Sequence, residues 1–407
     1  MKNAHKKLVV LCVIMSILAI VSVLCGCYNA VKYPMGSFDF QYDSAKLLFM
    51  RINPYEESLN PTGLQTELGM DTFYVRLESN QFPSMLIFLF PYVLLKPMTA
   101  NWTWMISNLL FTAGSLFLLK FLIFDDTYAQ FLQSDHMTAA HFSARDGSMV
   151  FWLFACLMMM GTPWRNNIGN GQHTIMAFFF FLLSLRLSKI NRIVLSGLSL
   201  SISYFKYTLT VPMALFFVYK KKYKELIVSI AVHVVLTFAS AIWLKASILD
   251  MIILPLKVSS NLSGAGSYDI SATFRLGRVG MPIAAIALLS ILVYCAIGKF
   301  KGSDNELLSI LTMISLVIVY HRGYDFFVLI LPLVIYTFQK QSTKAEKMAS
   351  YCIWGCVIYV FFVEKAIITF LPSIHASISV LFSIFFYITI AVSGIAAIRR
   401  EQQLETS

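Results

Sequence analysis

The chain is a succession of long apolar runs separated by short polar breaks. The runs lie at about 8–28, 101–124, 148–162, 173–188, 193–206, 207–219, 225–248, 280–298, 305–320, 324–339, 348–367 and 375–397. A helix needs about 20 apolar residues to cross about 30 Å of hydrocarbon, so runs of this kind predict membrane-spanning helices. The pattern predicts an all-α polytopic membrane protein with about twelve such helices, forming a single integral membrane domain over 1–407. A further run at 84–97 is broken by Pro91 and Pro97. It is too short to cross comfortably and is expected to be re-entrant or surface-lying.

Parity then fixes the topology. With twelve crossings both termini are cytoplasmic. The basic clusters Lys2-Lys6-Lys7, Arg186-Lys189-Arg192, Lys220-Lys221-Lys222-Lys224, Lys299-Lys301, Lys340-Lys344-Lys347 and Arg399-Arg400 all fall inside, as the positive-inside rule requires. The outer segments become 29–82, 163–172, the 206–208 junction, 250–279, 321–324 and 368–374. The segment 29–82 carries seven acidic residues, Asp39, Asp43, Glu56, Glu57, Glu67, Asp71 and Glu78, against Lys32, Lys46, Arg51 and Arg76. Its acidic bias marks it as extracytoplasmic. Within it, Phe40, Ala45, Leu47, Leu48 and Met50 predict a helix on the membrane surface that ends before Asn53-Pro54.

Composition sharpens this picture. Of 407 residues, 58% are apolar and 13% charged, and the mean hydropathy is +0.71. A soluble chain carries about 25% charged residues, so a soluble multi-domain enzyme is excluded. The net charge of +11 resides in the inter-run clusters and is a topology signal, with membrane lipids rather than nucleic acid as the neighbour. Seven cysteines fall in or beside apolar runs without paired CxxC spacing, as expected of small buried hydrophobes. Lys6-Lys7, an apolar stretch and Cys25-Gly26-Cys27 superficially resemble a cleaved lipoprotein signal. With so many runs following, an uncleaved first span is the expectation.

Four polar groups interrupt this background, and ionisable residues at a membrane boundary are functional candidates. The first joins Asp39, Tyr42 and Asp43 with Asn53 downstream. A partly desolvated carboxylate can act as a general base, or Asp39 or Asp43 can simply cap a helix. The second is the turn from Thr162 through Arg165, Gln172 and His173, where backbone N–H groups at a helix start suit an anion such as phosphate; an ordinary interhelical turn is the alternative. The third is Lys206-Tyr207, whose cation can meet a lipid phosphate or merely snorkel. The fourth is Tyr320-His321-Arg322-Gly323-Tyr324-Asp325, where Arg322 can bind phosphate and His321 can move a proton, or where an Arg-Asp pair only closes a turn. Glu364-Lys365, Lys120, His233, Lys245 and Asp250 are expected to be structural.

The runs FDFQYDSAKLLFMRINPYE (38–56), NQFPSMLIFLFPYVLL (80–95), GNGQHTIMAF through YFKYTLTVP (169–212) and YHRGYDFFVLILP (320–332) resemble, in order and spacing, the membrane mannosyltransferase-like proteins of glycosyltransferase family 87. The resemblance covers about 35–340. The chain departs from the pattern at Phe82-Pro83, where a double proline is usual, at Tyr207 in place of proline, at Tyr320 in place of a small-Pro pair, and at His173, where asparagine is common.

The resemblance implies a GT-C-like fold and an inverting transfer from a polyprenyl-phosphate-linked sugar, typically mannose and sometimes arabinose. The acceptor would be a glycan or glycolipid or a lipid carrier, on the outer side of the cytoplasmic membrane. It implies Asp39 as the base for the acceptor hydroxyl. His321, Arg322, Lys206 and the 165–173 turn become candidates for the leaving phosphate, with Tyr42, Asp43, Asn53, Tyr207 and Asp325 as further binding candidates. No metal motif is visible and a metal-independent site is expected. A transporter or flippase for a lipid-linked or acidic small molecule is the alternative, as is a structural partner in an envelope assembly; a transporter wants its charges near the midplane, whereas these map to the outer face.

Overall fold

A computed structural model describes residues 2–32, 38–62, 77–134, 146–262, 268–276, 279–298, 300, 302–318, 320–339 and 343–406. Ser37, Glu67, Asp71, Arg76, Lys299, Lys301 and Lys340 lie outside the described residues.

The regular elements described are helices throughout. Five are long and apolar enough to cross a membrane: His5–Lys32, Pro97–Gln133, Tyr223–Leu244, Lys344–Phe370 and Pro372–Arg399. A sixth arises if Gly147–Met160 and Thr162–Gly169, which meet at 58°, form one broken span. Side chains such as Val10, Ile14, Ile17, Val235 and Ile242 stand exposed on these helices, an apolar exterior suited to hydrocarbon rather than water. The protein is a helical membrane protein.

Among the described residues, helix length does not reach the twelve crossings expected. Several apolar runs break before they are long enough: 193–219 divides into Ile193–Ser203, a 3-10 turn Tyr204–Lys206 and Tyr207–Tyr219, and 324–339 becomes a 3-10 segment Gly323–Leu329 followed by Ile330–Phe338. Thr174–Lys189 has 16 residues and Asp304–Ile318 has 15. Hydropathy counts apolar residues but does not see a change of helix type at Lys206 or Gly323. Residues 83–93, within the run expected not to cross, form a short apolar stretch, Pro83–Val93, below crossing length.

The loop helix also differs from expectation. It spans Tyr42–Phe49 and buries Tyr42, Ala45, Leu47 and Leu48 against Pro54–Leu59 and the Pro83–Val93 stretch. Its apolar face is therefore covered by protein. Elsewhere Lys2–Lys32 packs on Gly147–Met160 and Thr162–Gly169, while Thr174–Lys189 packs on Ile193–Ser203, which in turn meets Tyr223–Leu244. Trp104, Trp164, Phe178, Phe181, Phe205, Phe326 and Phe327 fill the interior. Three interior side chains are paired over long sequence separations: Trp104 Nε1 donates to the Gly171 carbonyl at 2.8 Å, Trp164 Nε1 to Thr112 Oγ1 at 3.0 Å and Asn101 Nδ2 to the Ala30 carbonyl at 2.8 Å. Such bonds tie helices together where burial alone does not. All seven cysteines are free.

Candidate active site

Asp39 sits in a single 3-10 turn, Phe38–Phe40, ahead of the loop helix. The next residue is anchored: Phe40 is buried and stacks on Trp104 with ring centroids 4.9 Å apart, and its carbonyl accepts from His173 Nε2 at 3.1 Å. Gln41 takes the left-handed conformation (φ 58°) at the N-cap of Tyr42–Phe49 without a side-chain cap. Neither Asp39 nor Asp43 occupies that cap position. The Asp39 carboxylate instead accepts a hydrogen bond from Gln172 Nε2. Desolvation pushes its pKa up to about 6, opposed by Lys206 and Arg322 and assisted by Glu78 and Asp325.

Gln172 and His173 are aimed by the turn before Thr174–Lys189. Gly171 has φ 63°, a conformation that glycine adopts without the Cβ clash other residues meet. His173 is buried and stacks on Phe205, centroids 4.2 Å apart at 20°. Its ring nitrogen must donate to the Phe40 carbonyl, which fixes the Nε2–H tautomer and ties this turn to the one carrying Asp39.

Lys206 projects from the break between two helices. Its Nζ lies 3.4 Å from Asp325 Oδ2 and 5.3 Å from the Tyr324 ring centroid. Asp325 is buried and is a hub: His321 Nδ1 donates to Oδ2 at 2.8 Å, and Thr174 Oγ1 to Oδ1 at 2.5 Å. Arg322 is in extended backbone, and its Nε reaches the Tyr320 hydroxyl. The loop is held from outside as well, since Tyr268 N–H donates to the His321 carbonyl at 3.2 Å and the Tyr268 hydroxyl donates to Glu364.

Asp39, Gln172, His173, Phe205, Lys206, Tyr320, Arg322 and Tyr324 lie around a cavity of about 150 Å³. Asp39 and Glu78 bring negative charge to its wall, Lys206 and Arg322 positive charge, and Asn80, Gln81, Gln172, His173, Tyr207, Thr208, Ser259, Tyr320 and Tyr324 neutral polar groups. A base and two cations facing one space can take a proton from one group and stabilise negative charge developing on another. Among the described residues no group of three or more His, Cys, Asp or Glu side chains forms a metal-ligand set.

The model of glycosyltransferase family 87 matches residues 83–332. The chain belongs to glycosyltransferase family 87. No curated protein matches it and no solved structure does. As a family 87 protein it is a membrane glycosyltransferase. The match includes Gln172, His173, Lys206, Tyr207, His321, Arg322 and Asp325, while Asp39, Glu78, Asn80 and Gln81 precede it. Folding brings the Asp39 carboxylate of the first loop into one cavity with Lys206 and Arg322 of the matched segment.

Of the site residues expected in this family 87 chain, Asp39, Gln172, His173, Lys206, Tyr207 and Arg322 line the cavity. His321 and Asp325 are not on its wall; both are buried, His321 Nδ1 donates to Asp325 Oδ2, and Lys206 Nζ lies 3.4 Å from the same oxygen, while His321 Nε2 has no partner. Arg165 is off the cavity, with Nη2 3.4 Å from Thr162 Oγ1 and its side chain beside Gly26 of the first helix. Tyr42 donates to the Leu95 carbonyl at 2.7 Å. Asp43 is also off the cavity wall; burial pushes its pKa up to about 7 against the pull of Lys46. Asn53 is the N-cap of Pro54–Leu59, accepting from the N–H groups of Tyr55 and Glu56. Tyr320 and Tyr324 of the fourth polar group are on the wall, and Glu78, Asn80, Gln81, Thr208 and Ser259 join it without having been given a site role. For Asn80 and Gln81 the signal was their place at the head of the 80–95 run.

Proposed function

We propose that the protein transfers a hexose, mannose first among the candidates, from a polyprenyl-phosphate donor to a glycan or lipid-linked acceptor with inversion. Asp39 takes the proton of the acceptor hydroxyl as that oxygen bonds to the anomeric carbon. The bond from the anomeric carbon to the phosphate oxygen breaks on the opposite face, and the polyprenyl phosphate leaves with the negative charge. Lys206 and Arg322 stabilise that charge, with Asp325 and His321 holding Lys206 from behind. These two cations supply the electrostatic stabilisation in a metal-independent route.

The observation that carries this reading is one cavity holding a carboxylate poised near pH 6 together with Lys206 and Arg322. A base works best when its pKa lies near the operating pH. The basic clusters between apolar runs support a site on the outer face of the cytoplasmic membrane, within a GT-C-like bundle in which the shorter apolar helices bring the segments at membrane depth to about twelve. Family membership favours transfer over transport.

The test is transfer of label from polyprenyl-phosphate mannose into acceptor in membranes containing the protein, against membranes lacking it. Transfer that depends on the protein is expected. Absence of transfer from mannosyl, arabinosyl and glucosyl donors alike would overturn the donor class.

A further inference from the structure

The side chains of Asn80 and Gln81 are the feature of the cavity that the transfer chemistry leaves unused. Both line it, and the amide oxygens Asn80 Oδ1 and Gln81 Oε1 are buried without a hydrogen-bond partner. A buried polar atom left unpaired is unfavourable unless a ligand or water completes it. Two such atoms on consecutive residues of one wall point to a ligand that brings hydrogen-bond donors.

The backbone carrying them is tightly held. The Glu78 carbonyl accepts from Gln41 Nε2 at 2.8 Å and from Asn80 N–H at 2.9 Å. Ser79 N–H donates to Ser58 Oγ at 3.0 Å, and its hydroxyl to Ser44 Oγ at 2.8 Å. The Gln81 carbonyl accepts from the Tyr55 hydroxyl at 2.8 Å. The loop helices thus secure this strip through its backbone and through Ser79, and hold the Asn80 and Gln81 side chains on the cavity wall with their amide oxygens unpaired. This is the preorganisation expected of a recognition element.

We propose that Asn80 and Gln81 form a sugar subsite that accepts hydrogen bonds from hydroxyls of the hexose ring being transferred. The proposal rests on the function assigned above. A phosphate offers no such donors when ionised and is drawn to Lys206 and Arg322, whereas a sugar hydroxyl donates readily. The transferred ring has to sit between Asp39 and those cations, because the anomeric carbon is attacked from one face and leaves phosphate on the other. Its remaining hydroxyls then meet the neutral part of the wall.

Affinity of the purified protein for polyprenyl-phosphate mannose and for sugar-free polyprenyl phosphate reads the subsite without any mutation. The sugar-bearing ligand is expected to bind about tenfold more tightly or better, as two completed acceptors imply. Asn80→Ala and Gln81→Ala should each remove about threefold of that preference and leave sugar-free binding unchanged. Equal binding of the two ligands by the wild-type protein overturns the subsite. So does an equal loss of both affinities in the variants, which would mean a merely structural role. If the preference is present but no sugar is transferred, the subsite stands and the assigned reaction falls.

Discussion

Replacing Asp39 by asparagine keeps the shape of the side chain and its capacity to accept from Gln172, while removing the base. General-base assistance contributes about 10²- to 10⁴-fold, or about 3–5 kcal/mol of barrier at 1.36 kcal/mol per decade. The structure adds a second, independent signature. With its pKa raised to about 6, Asp39 is about nine-tenths ionised at pH 7 and about one-tenth at pH 5. The direction follows from the chemistry: only the ionised carboxylate accepts a proton, so activity is present above the pKa and is lost as pH falls through it. Wild-type kcat/KM for polyprenyl-phosphate mannose should therefore drop about tenfold between pH 7 and pH 5, and Asp39→Asn should show a low rate without that limb. The assay is initial-rate transfer by purified protein across this range, with thermal unfolding confirming that the variant folds. More than a tenth of wild-type activity in Asp39→Asn, or the same acid limb in its residual rate, would refute the assignment of the base.

Lys206→Met removes the cation that most lowers the Asp39 pKa, so the acid limb should move to higher pH; loss of a charge-assisted contact to phosphate should also raise the donor KM by about ten- to a hundredfold. Asp325→Ala leaves Lys206, His321 and Thr174 without their shared acceptor. Breaking a buried ion pair in this way is worth about 3–5 kcal/mol of stability, to be read as an earlier denaturation midpoint in detergent. Asn53→Ala removes a helix cap outside the cavity; about 1 kcal/mol of stability should be lost, with donor KM unchanged, and a raised KM would return Asn53 to the site.

Much of this site was legible because polar residues stand out against an apolar background. Lys206 between two apolar runs, Arg322 and His321 in a break, and Gln172-His173 at a helix start all drew attention for that reason, and five of the long runs became the helices of crossing length. Contrast does not give direction, however. Arg165 and Asn53 had the same chemical credentials as Arg322 and Gln172, yet one faces the first helix and the other caps a short helix. His321 and Asp325 were recognised as polar but sit behind the wall. Asn80 and Gln81 lie where the mixed polar loop gives way to the apolar 80–95 run, and uncharged amides there do not stand out from their neighbours.

The sequence by itself determined the membrane habitat, the helical class and the breaks at which chemistry collects, because hydrophobic transfer energy is summed along the chain and needs no knowledge of neighbours. Only the tertiary structure decided where the apolar runs break, which of the candidates share a cavity, and that Asp39 shares it with Lys206 and Arg322 across the intervening chain. Those outcomes depend on helix breaks and packing directions, and on the desolvation of one carboxylate beside two cations, none of which is a property of any local stretch of residues.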